Sequence, residues 1–319
     1  MKGSFDHLVV KAHHGQDALT LAQVPVEALH GVSPEDARRL REAFGIETVG
    51  DLAGNRFVAA AQAIARAAVV LAHDPGPDAQ WSAFFAGAPL AAYQAHPEDF
   101  RLDFGPVWYR GRLDGTARLL VIGQDPAANE LVGHRAFVGT SGQRVQGFLR
   151  KLGITRDYLM VNTFLYPIYG QFPQVRDLFR SESIQGFRNA FLDRIARENP
   201  LEAVIAVGAA GADAVEHWVS RPAIPVCQIT HPSARDHAPL LVNWNVGLAI
   251  LNGTVSPELG VAPDPTPYGS DWTASDQVPI PRRDLPFGVP EWHGVGSHAS
   301  RERQGDGTTD PKEIVWTAP

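Results

Sequence analysis

From about residue 100 onward, short apolar segments alternate with longer helical ones. Four continuous apolar runs predict buried strands, at residues 117–122, 158–161, 201–207 and 224–229. The stretches between and after them predict helices at 141–152, 182–198, 211–220 and 240–251. Uninterrupted apolar runs are typical of strands that are covered on both faces in a parallel sheet. The pattern therefore predicts an α/β fold, a three-layer sandwich with a small central parallel sheet.

The region before this pattern, residues 1–100, is predicted to be mostly helical. The segment Ser33-Pro34-Glu35-Asp36 is a strong helix start, because serine caps helices and proline fits the first helical position. Gly45 is expected to end that helix. Further helices are expected from Thr48 to Leu52 and across residues 57–73.

The region after the α/β pattern, residues 254–319, holds ten of the 25 prolines and has little regular periodicity. It also holds ten Asp and Glu against five Lys and Arg. This composition predicts an irregular C-terminal tail, extended or disordered, in which a few apolar segments lie against the folded body. The predicted organisation is an N-terminal helical region at 1–100, an α/β domain at 101–253 and a Pro-rich acidic tail.

Charge is unevenly distributed along the chain. The formal net charge is -7, which argues against a protein that coats nucleic acid through bulk charge. Residues 101–156, however, carry nine Lys and Arg against four Asp and Glu. This excess is either a basic working surface or an ordinary solvated face.

Composition narrows the class of protein further. A hydrophobic share of 44% supplies a packed core and excludes wholesale disorder and fibrous architecture. The single cysteine, Cys227, excludes an internal disulfide and any site built from several thiolates, and it agrees with a reducing compartment. No apolar run approaches the ~20 residues that span a bilayer, and the N-terminal residues lack a signal-peptide pattern. We therefore expect a cytoplasmic protein without membrane contact.

Residues that can carry chemistry follow the predicted strands. Asp125 comes directly after the first strand, Asn162 ends the second and His231 follows the last, while Phe137 lies in a loop before a helix. Ligands of α/β sheets bind beyond the carboxyl ends of the strands, so these are candidate site residues. Each also has a structural alternative. Asp125 and Asn162 are often turn residues, a loop phenylalanine is often a core plug, and a lone histidine is usually structural.

The order and placement of these segments resemble the uracil-DNA glycosylase superfamily over about residues 105–252. Gly123-Gln124-Asp125-Pro126, Asn162-Thr163 and His231-Pro232-Ser233 are similar to the first-described family of that group. The stretch from Phe137 to Ile154 is more similar to families that carry an iron–sulfur cluster. That cluster needs four cysteines and the chain has one, so no cluster is expected. The resemblance implies no metal and no cofactor, and we expect a monomer.

The resemblance also implies a role for each matching residue. Asp125 would position the attacking water and stabilise the sugar cation, and His231 would donate a hydrogen bond to the 2-carbonyl oxygen of the leaving uracil. Asn162 would bind the imide edge of the base, Phe137 would stack on its ring, and the backbone N–H of Gln124 would also hold uracil. The implied reaction is hydrolysis of the N-glycosidic bond of a flipped deoxyuridine in uracil-containing DNA.

DNA contacts are implied less directly. Ser233 would bind a phosphate, and Arg235 stands where the first-described family has an apolar wedge, so it would fill the vacated stack or grip a phosphate. The segment 25–53 resembles helix-hairpin-helix modules, which bind DNA backbones through a glycine-rich hairpin. Its single hairpin glycine and its nearby acids leave a purely structural helical unit as the favoured alternative.

One departure from the family pattern bears on specificity. The first-described family follows its GQDP segment with a tyrosine that excludes thymine, whereas this chain has Ala127. Two other functions therefore stay open. One is a broader-range glycosylase that accepts thymine or deaminated purines. The other is a non-catalytic DNA-binding protein on the same fold, against which the retained pair of Asp125 and His231 argues.

Overall fold

The computed structural model describes residues 5–61, 72–290, 293–294, 298–302 and 313–317, the last two ranges by their backbone. The chain divides into two compact units, Met1–Ala72 and His73–Pro319. This division falls earlier than the expected end of the helical region near residue 100. The predicted helix across 57–73 lies partly outside the described residues, of which 56–61 are helical. No helix in the described part of the chain is long and apolar enough to cross a bilayer.

In the first unit, polar caps determine where the helices begin. The helices are α1 Ala18–Ala22, α2 Pro34–Phe44 and α3 Val49–Gly54. The side chain of Ser33 accepts the backbone N–H of Asp36, whose carboxylate accepts the backbone N–H of Ser33 in return. Thr48 caps α3 in the same reciprocal way. Gly45 ends α2 with φ 68°, the left-handed conformation that favours glycine.

The second unit is built on a five-stranded sheet in the order β1-β3-β2-β4-β5. The strands are β1 Arg110–Gly111, β2 Leu119–Gly123, β3 Tyr158–Asn162, β4 Ala203–Val207 and β5 Val226–Ile229. β2 to β5 are parallel and coincide with the four predicted strands. β1 pairs antiparallel with β3 and was not predicted, because two residues carry no periodicity. A separate antiparallel pair, also not predicted, joins β6 His298–Glu302 to β7 Glu313–Thr317.

Helices cover both faces of this sheet. They are α4 Ala79–Ala86, α5 Leu90–Gln94, α6 Ala128–Gly133, α7 Thr140–Lys151, α8 Arg176–Phe179, α9 Glu182–Glu198, α10 Gly208–Glu216 and α11 His237–Asn252. Successive strand residues point to opposite faces. Leu120 and Ile122 therefore pack in one core with α4, α9 and α10, whereas Leu119 and Val121 pack in a second core with α7 and α11. The predicted three-layer α/β sandwich is confirmed.

Residues 254–290 are irregular, as predicted, but they pack against the α/β body of the second unit, to which they belong. The carboxylate of Glu258 accepts hydrogen bonds from the backbone N–H groups of residues 155–157, at 2.8, 2.6 and 2.9 Å. Asp284 is fully buried and forms an ion pair with the equally buried Arg110 at 3.1 Å. The expectation of an extended or disordered tail is wrong for this segment. Its acidic residues have partners on the α/β body, which composition does not reveal.

Candidate active site

The carboxyl ends of the parallel strands border a cavity of ≈ 660 Å³. β2 and β3 pair in a register that places Gly123 opposite Asn162, so the residues that follow β2 lie beside the end of β3. Six of the seven predicted site residues line the cavity, namely Gln124, Asp125, Phe137, Asn162, His231 and Ser233. Arg235 is exposed and is not among the lining residues. The structure therefore brings the predicted catalytic and base-binding residues together.

Asp125 is oriented by hydrogen bonds to both oxygens of its carboxylate. Oδ2 accepts the backbone N–H of Ile168 at 3.0 Å, and Oδ1 accepts Nε2 of Gln124 at 2.9 Å. Pro126 has a fixed φ and restricts the conformation of the residue before it. The carboxylate is half-buried and lines the cavity, which gives water access to it. This arrangement suits a carboxylate that positions a water molecule.

His231 lies at the cavity with its tautomer determined by Ser233. The backbone N–H of Ser233 donates to Nδ1 at 3.3 Å, and the Ser233 hydroxyl lies 2.7 Å from the same nitrogen. Because a backbone N–H can only donate, Nδ1 is the acceptor and the proton of the neutral ring is on Nε2. Burial lowers the pKa of His231, which favours this neutral form. The residue is therefore suited to donate a neutral hydrogen bond from Nε2.

The ring of Phe137 packs against the end of β2. A Cβ at Gly123 would come within 2.3 Å of this ring and 2.6 Å of Asn162 Oδ1, so only glycine fits there. Phe137 has φ 57°, a left-handed conformation that is uncommon for a bulky residue. Its backbone N–H donates to Oε1 of Glu130 at 2.5 Å. The position of the ring thus depends on an unusual backbone conformation and on the contact with Glu130.

Glu130 is a cavity residue that the sequence analysis missed. It is 7% exposed, and its Oε2 accepts the backbone N–H of Ala127 at 2.6 Å while Oε1 accepts that of Phe137. Burial raises the pKa of Glu130 to about 7, and the charge of Asp125 acts in the same direction. One carboxylate therefore links the loop after Asp125 to the loop that carries Phe137. A glutamate at the third position of a helix is a capping-box signal, which the non-capping Ala127 obscured.

Asn162 presents a buried amide to the cavity. It is 6% exposed at the end of β3. Its Nδ2 lies near Glu130, where it helps to lower the pKa of that carboxyl, but it makes no well-formed hydrogen bond within the described part of the chain. A buried donor without a partner costs free energy unless a ligand or water engages it. The wall of the cavity thus offers a donor at the position where the base edge is expected.

The cavity is open beside Ala127. This residue is exposed, lines the cavity and offers only a methyl group where the first-described family has a tyrosine. Ile168 and Phe172, from the chain that follows β3, also line the cavity. In the described structure, Ala127 itself therefore places no bulky group against the base site.

One cluster in the described part of the chain has residue types that can bind a metal. His96, Glu98 and Asp99 bring potential ligand atoms within 4.8 Å of one another, but they are not among the residues that line the cavity. Such exposed acidic groups are common without an ion. Cys227 is buried in β5, and burial raises the pKa of its thiol to about 11. It is therefore a core residue with little thiolate character.

Comparison with known proteins agrees with this geometry. Residues 111–245 match the family model described as the uracil DNA glycosylase superfamily. The matched range contains β2 to β5 and all the predicted site residues. No curated protein matches the chain. The family match supports a DNA glycosylase type of function, because this superfamily generally hydrolyses N-glycosyl bonds in DNA. The match supports the assignment of the domain at residues 111–245 to the uracil DNA glycosylase superfamily.

Proposed function

We propose that this protein is a uracil-DNA glycosylase, which hydrolyses the N-glycosidic bond of a flipped deoxyuridine and leaves an abasic site. One observation carries the proposal. A single cavity joins an oriented carboxylate, Asp125, a buried amide, Asn162, and a histidine, His231, whose Nε2 bears the proton. The carboxylate can activate water, the amide can bind the base, and the histidine can stabilise the leaving anion.

In the proposed reaction, the sugar–base bond breaks ahead of full attack by water. Negative charge then develops on uracil and positive charge on the sugar. Nε2–H of His231 donates to the 2-carbonyl oxygen as the charge develops there, and preorganised donors of this kind commonly supply about 3–4 kcal/mol. Asp125 stabilises the sugar cation and orients the water that completes hydrolysis.

Recognition of the base uses other residues that line the cavity. Extrusion of a nucleotide from the duplex costs a few kcal/mol, which contacts with the flipped base help to offset. The ring of Phe137 offers a stacking surface, and the amide of Asn162 has one donor group and one acceptor, as the imide edge of uracil requires. Cytosine reverses the donor and acceptor at this edge and is therefore rejected.

The geometry favours simple hydrolysis over cleavage of the DNA strand. Glycosylases that also cut the strand need an amine nucleophile that forms a Schiff base with the sugar. No lysine is among the described residues that line the cavity. We therefore expect a monofunctional enzyme whose product strand stays intact until alkali or heat is applied.

An alkali-cleavage assay on labelled oligonucleotides with a single U tests this function. Wild-type protein is expected to give a strand break at U only after alkali, and Asp125→Asn and His231→Ala are each expected to reduce the rate by at least about 100-fold. Both variants are expected to retain DNA binding in a gel-shift assay. His217→Ala is the matched control, because His217 bonds to the Asp213 carbonyl outside the cavity. No cleavage at U by folded wild-type protein would refute the proposal.

A broader substrate range is the second candidate function, and Ala127 is the observation that favours it. With only a methyl group at this position, nothing in Ala127 itself opposes the 5-methyl group of thymine. The same assay can be run with oligonucleotides in which U is replaced by hypoxanthine, by C, or by a T that lies opposite G. Excision of thymine or hypoxanthine at a rate close to that of uracil would establish the broader range, and excision of uracil alone would exclude it.

A further inference from the structure

Trp272 lies beyond the matched range 111–245, in the segment after α11. We propose that it is a positioning residue for His231, because its indole contacts both side chains that hold the backbone carbonyls on either side of that histidine. The inference rests on the proposed glycosylase function and adds to it a role for the segment that follows the family domain.

Two donors hold the loop that carries His231. On one side, Nε1 of Trp244 in α11 donates to the carbonyl oxygen of Thr230 at 2.8 Å. On the other side, a terminal guanidinium nitrogen of Arg144 in α7 donates to the carbonyl oxygen of Pro232 at 2.6 Å. These two bonds hold the carbonyl groups of the residues directly before and after His231. The orientation of the imidazole therefore depends on where Trp244 and Arg144 lie.

Trp272 contacts both of these donors. The guanidinium carbon of Arg144 lies 4.5 Å from the centroid of the Trp272 ring, within the range of a cation–π contact. The ring centroids of Trp272 and Trp244 are 5.0 Å apart at an interplanar angle of 84°, an edge-to-face arrangement. Nε1 of Trp272 is buried and has no hydrogen-bond partner within the described ranges. The indole thus acts through its ring faces and edges.

The segment that carries Trp272 is fastened to the same two helices. Asn245 in α11 exchanges two hydrogen bonds with the backbone of Tyr268, at 2.7 and 3.0 Å. Lys151, the last residue of α7, forms an ion pair with Asp264 at 2.8 Å. A Cβ at Gly147 would come within 2.2 Å of the carbonyl oxygen of residue 276, so α7 admits this segment only because glycine occupies that position. These contacts hold Trp272 in place independently of the His231 loop.

Small displacements at a catalytic group have large effects on rate. A shift of about 1 Å in a catalytic group can reduce the rate by about 100-fold, because the hydrogen bond to the developing charge is then misplaced. Without the Trp272 ring, the guanidinium of Arg144 loses its support and Trp244 loses an edge-to-face partner. The carbonyl groups of Thr230 and Pro232 then gain freedom, although the loop itself remains.

Steady-state kinetics on a uracil-containing oligonucleotide test the proposal. For Trp272→Ala, kcat is expected to fall by about 10- to 100-fold while KM changes less than about threefold, because base binding uses other residues. Trp272→Phe keeps a ring beside Arg144 and Trp244 and is expected to restore most of kcat. Val255→Ala is the matched control, since Val255 is a buried residue of the same core whose backbone N–H donates to Leu251 in α11. Loss of kcat in Val255→Ala equal to that in Trp272→Ala would refute the proposal.

A second measurement follows His231 directly and does not depend on catalysis. NMR of ¹³C-labelled histidine gives the pKa and the tautomer of His231 in wild type, Trp272→Ala and Arg144→Met. In both variants the pKa is expected to rise towards the ordinary value of histidine, because a loosened loop exposes the ring to water. Unchanged His231 resonances in both variants would overturn the positioning role. If wild type proves inactive on uracil while the resonances shift as expected, the proposed function fails and the positioning of His231 stands.

Discussion

Replacement of Glu130 by glutamine is expected to alter stability in a way that depends on pH. The wild-type carboxylate accepts two backbone N–H groups, from Ala127 and Phe137. At pH 5 the wild-type carboxyl is protonated, but its hydroxyl oxygen can still accept a hydrogen bond, whereas glutamine keeps one acceptor oxygen and turns an NH₂ group towards the other N–H. A buried donor left without an acceptor costs about 1–3 kcal/mol, so Glu130→Gln is expected to be less stable than wild type at pH 5.

The pH dependence follows from the pKa of Glu130. Burial raises this pKa from 4.5 to about 7 in the folded protein. The folded state therefore binds the proton more tightly than the unfolded state, and the wild-type free energy of unfolding falls as the pH rises from about 4.5 through about 7. At 1.36 kcal/mol per unit, the loss is about 3 kcal/mol. Glutamine does not titrate, so Glu130→Gln is expected to equal or exceed wild-type stability at pH 8.

Guanidinium chloride unfolding at pH 5 and pH 8 measures this difference. All seven tryptophans follow residue 72, so their fluorescence reports the unit that contains Glu130. Glu258→Gln is the matched control, for which we expect the stability change to depend on pH in the opposite direction. Burial alone would raise the pKa of Glu258, but hydrogen bonds from residues 155–157 outweigh burial and lower it. Its substitution is therefore expected to cost more at pH 8 than near pH 4. An equal stability difference between Glu130→Gln and wild type at both pH values would refute the reasoning.

Three further outcomes are expected. Asp284→Asn leaves the buried Arg110 without its carboxylate partner and is expected to lower the free energy of unfolding by about 3–5 kcal/mol in the same denaturation assay. Unchanged stability would contradict a stabilising ion pair between Asp284 and Arg110. Ala127→Tyr is expected to suppress any excision of thymine at least tenfold more than that of uracil, and equal suppression of both would contradict a role in specificity. Phe137→Ala is expected to raise KM for uracil-containing oligonucleotides. Wild-type kinetics in this variant would show that Phe137 is not part of the base site.

The strands, and the edge of the sheet at which the candidate site lies, could be predicted from the sequence for a physical reason. The strands β2 to β5 are mostly buried on both faces, so their residues form continuous apolar runs. Elements with one exposed face show alternating apolar and polar residues instead. Parallel strands end at a common edge, so Asp125, Asn162 and His231 were expected to meet although many residues separate them. The structure places all three around one cavity.

The residues that escaped prediction act through contacts between distant segments. Glu130 appears in sequence as an ordinary charged residue of a helix, and only the burial of α6 makes it a partner of Phe137. Asp284 belongs to a segment whose composition indicates disorder, and its partner Arg110 lies 174 positions earlier. Periodicity and composition describe a residue by its neighbours in sequence. Periodicity and composition therefore carry no information about an ion pair between residues that are far apart in sequence.

The compact unit that contains the candidate site, His73–Pro319, is larger than the range that the family model matches. The match ends at residue 245, within α11, yet three later side chains pack against residues that surround the site. Ile280 and Leu285 pack on Val138, directly after Phe137, the proposed stacking residue. Trp272 packs on the two donors that hold the loop of His231. Because residues of the segment 254–290 pack on both the proposed base-stacking side and the proposed catalytic side, we expect a fragment that ends at residue 245 to lose support on both sides at once.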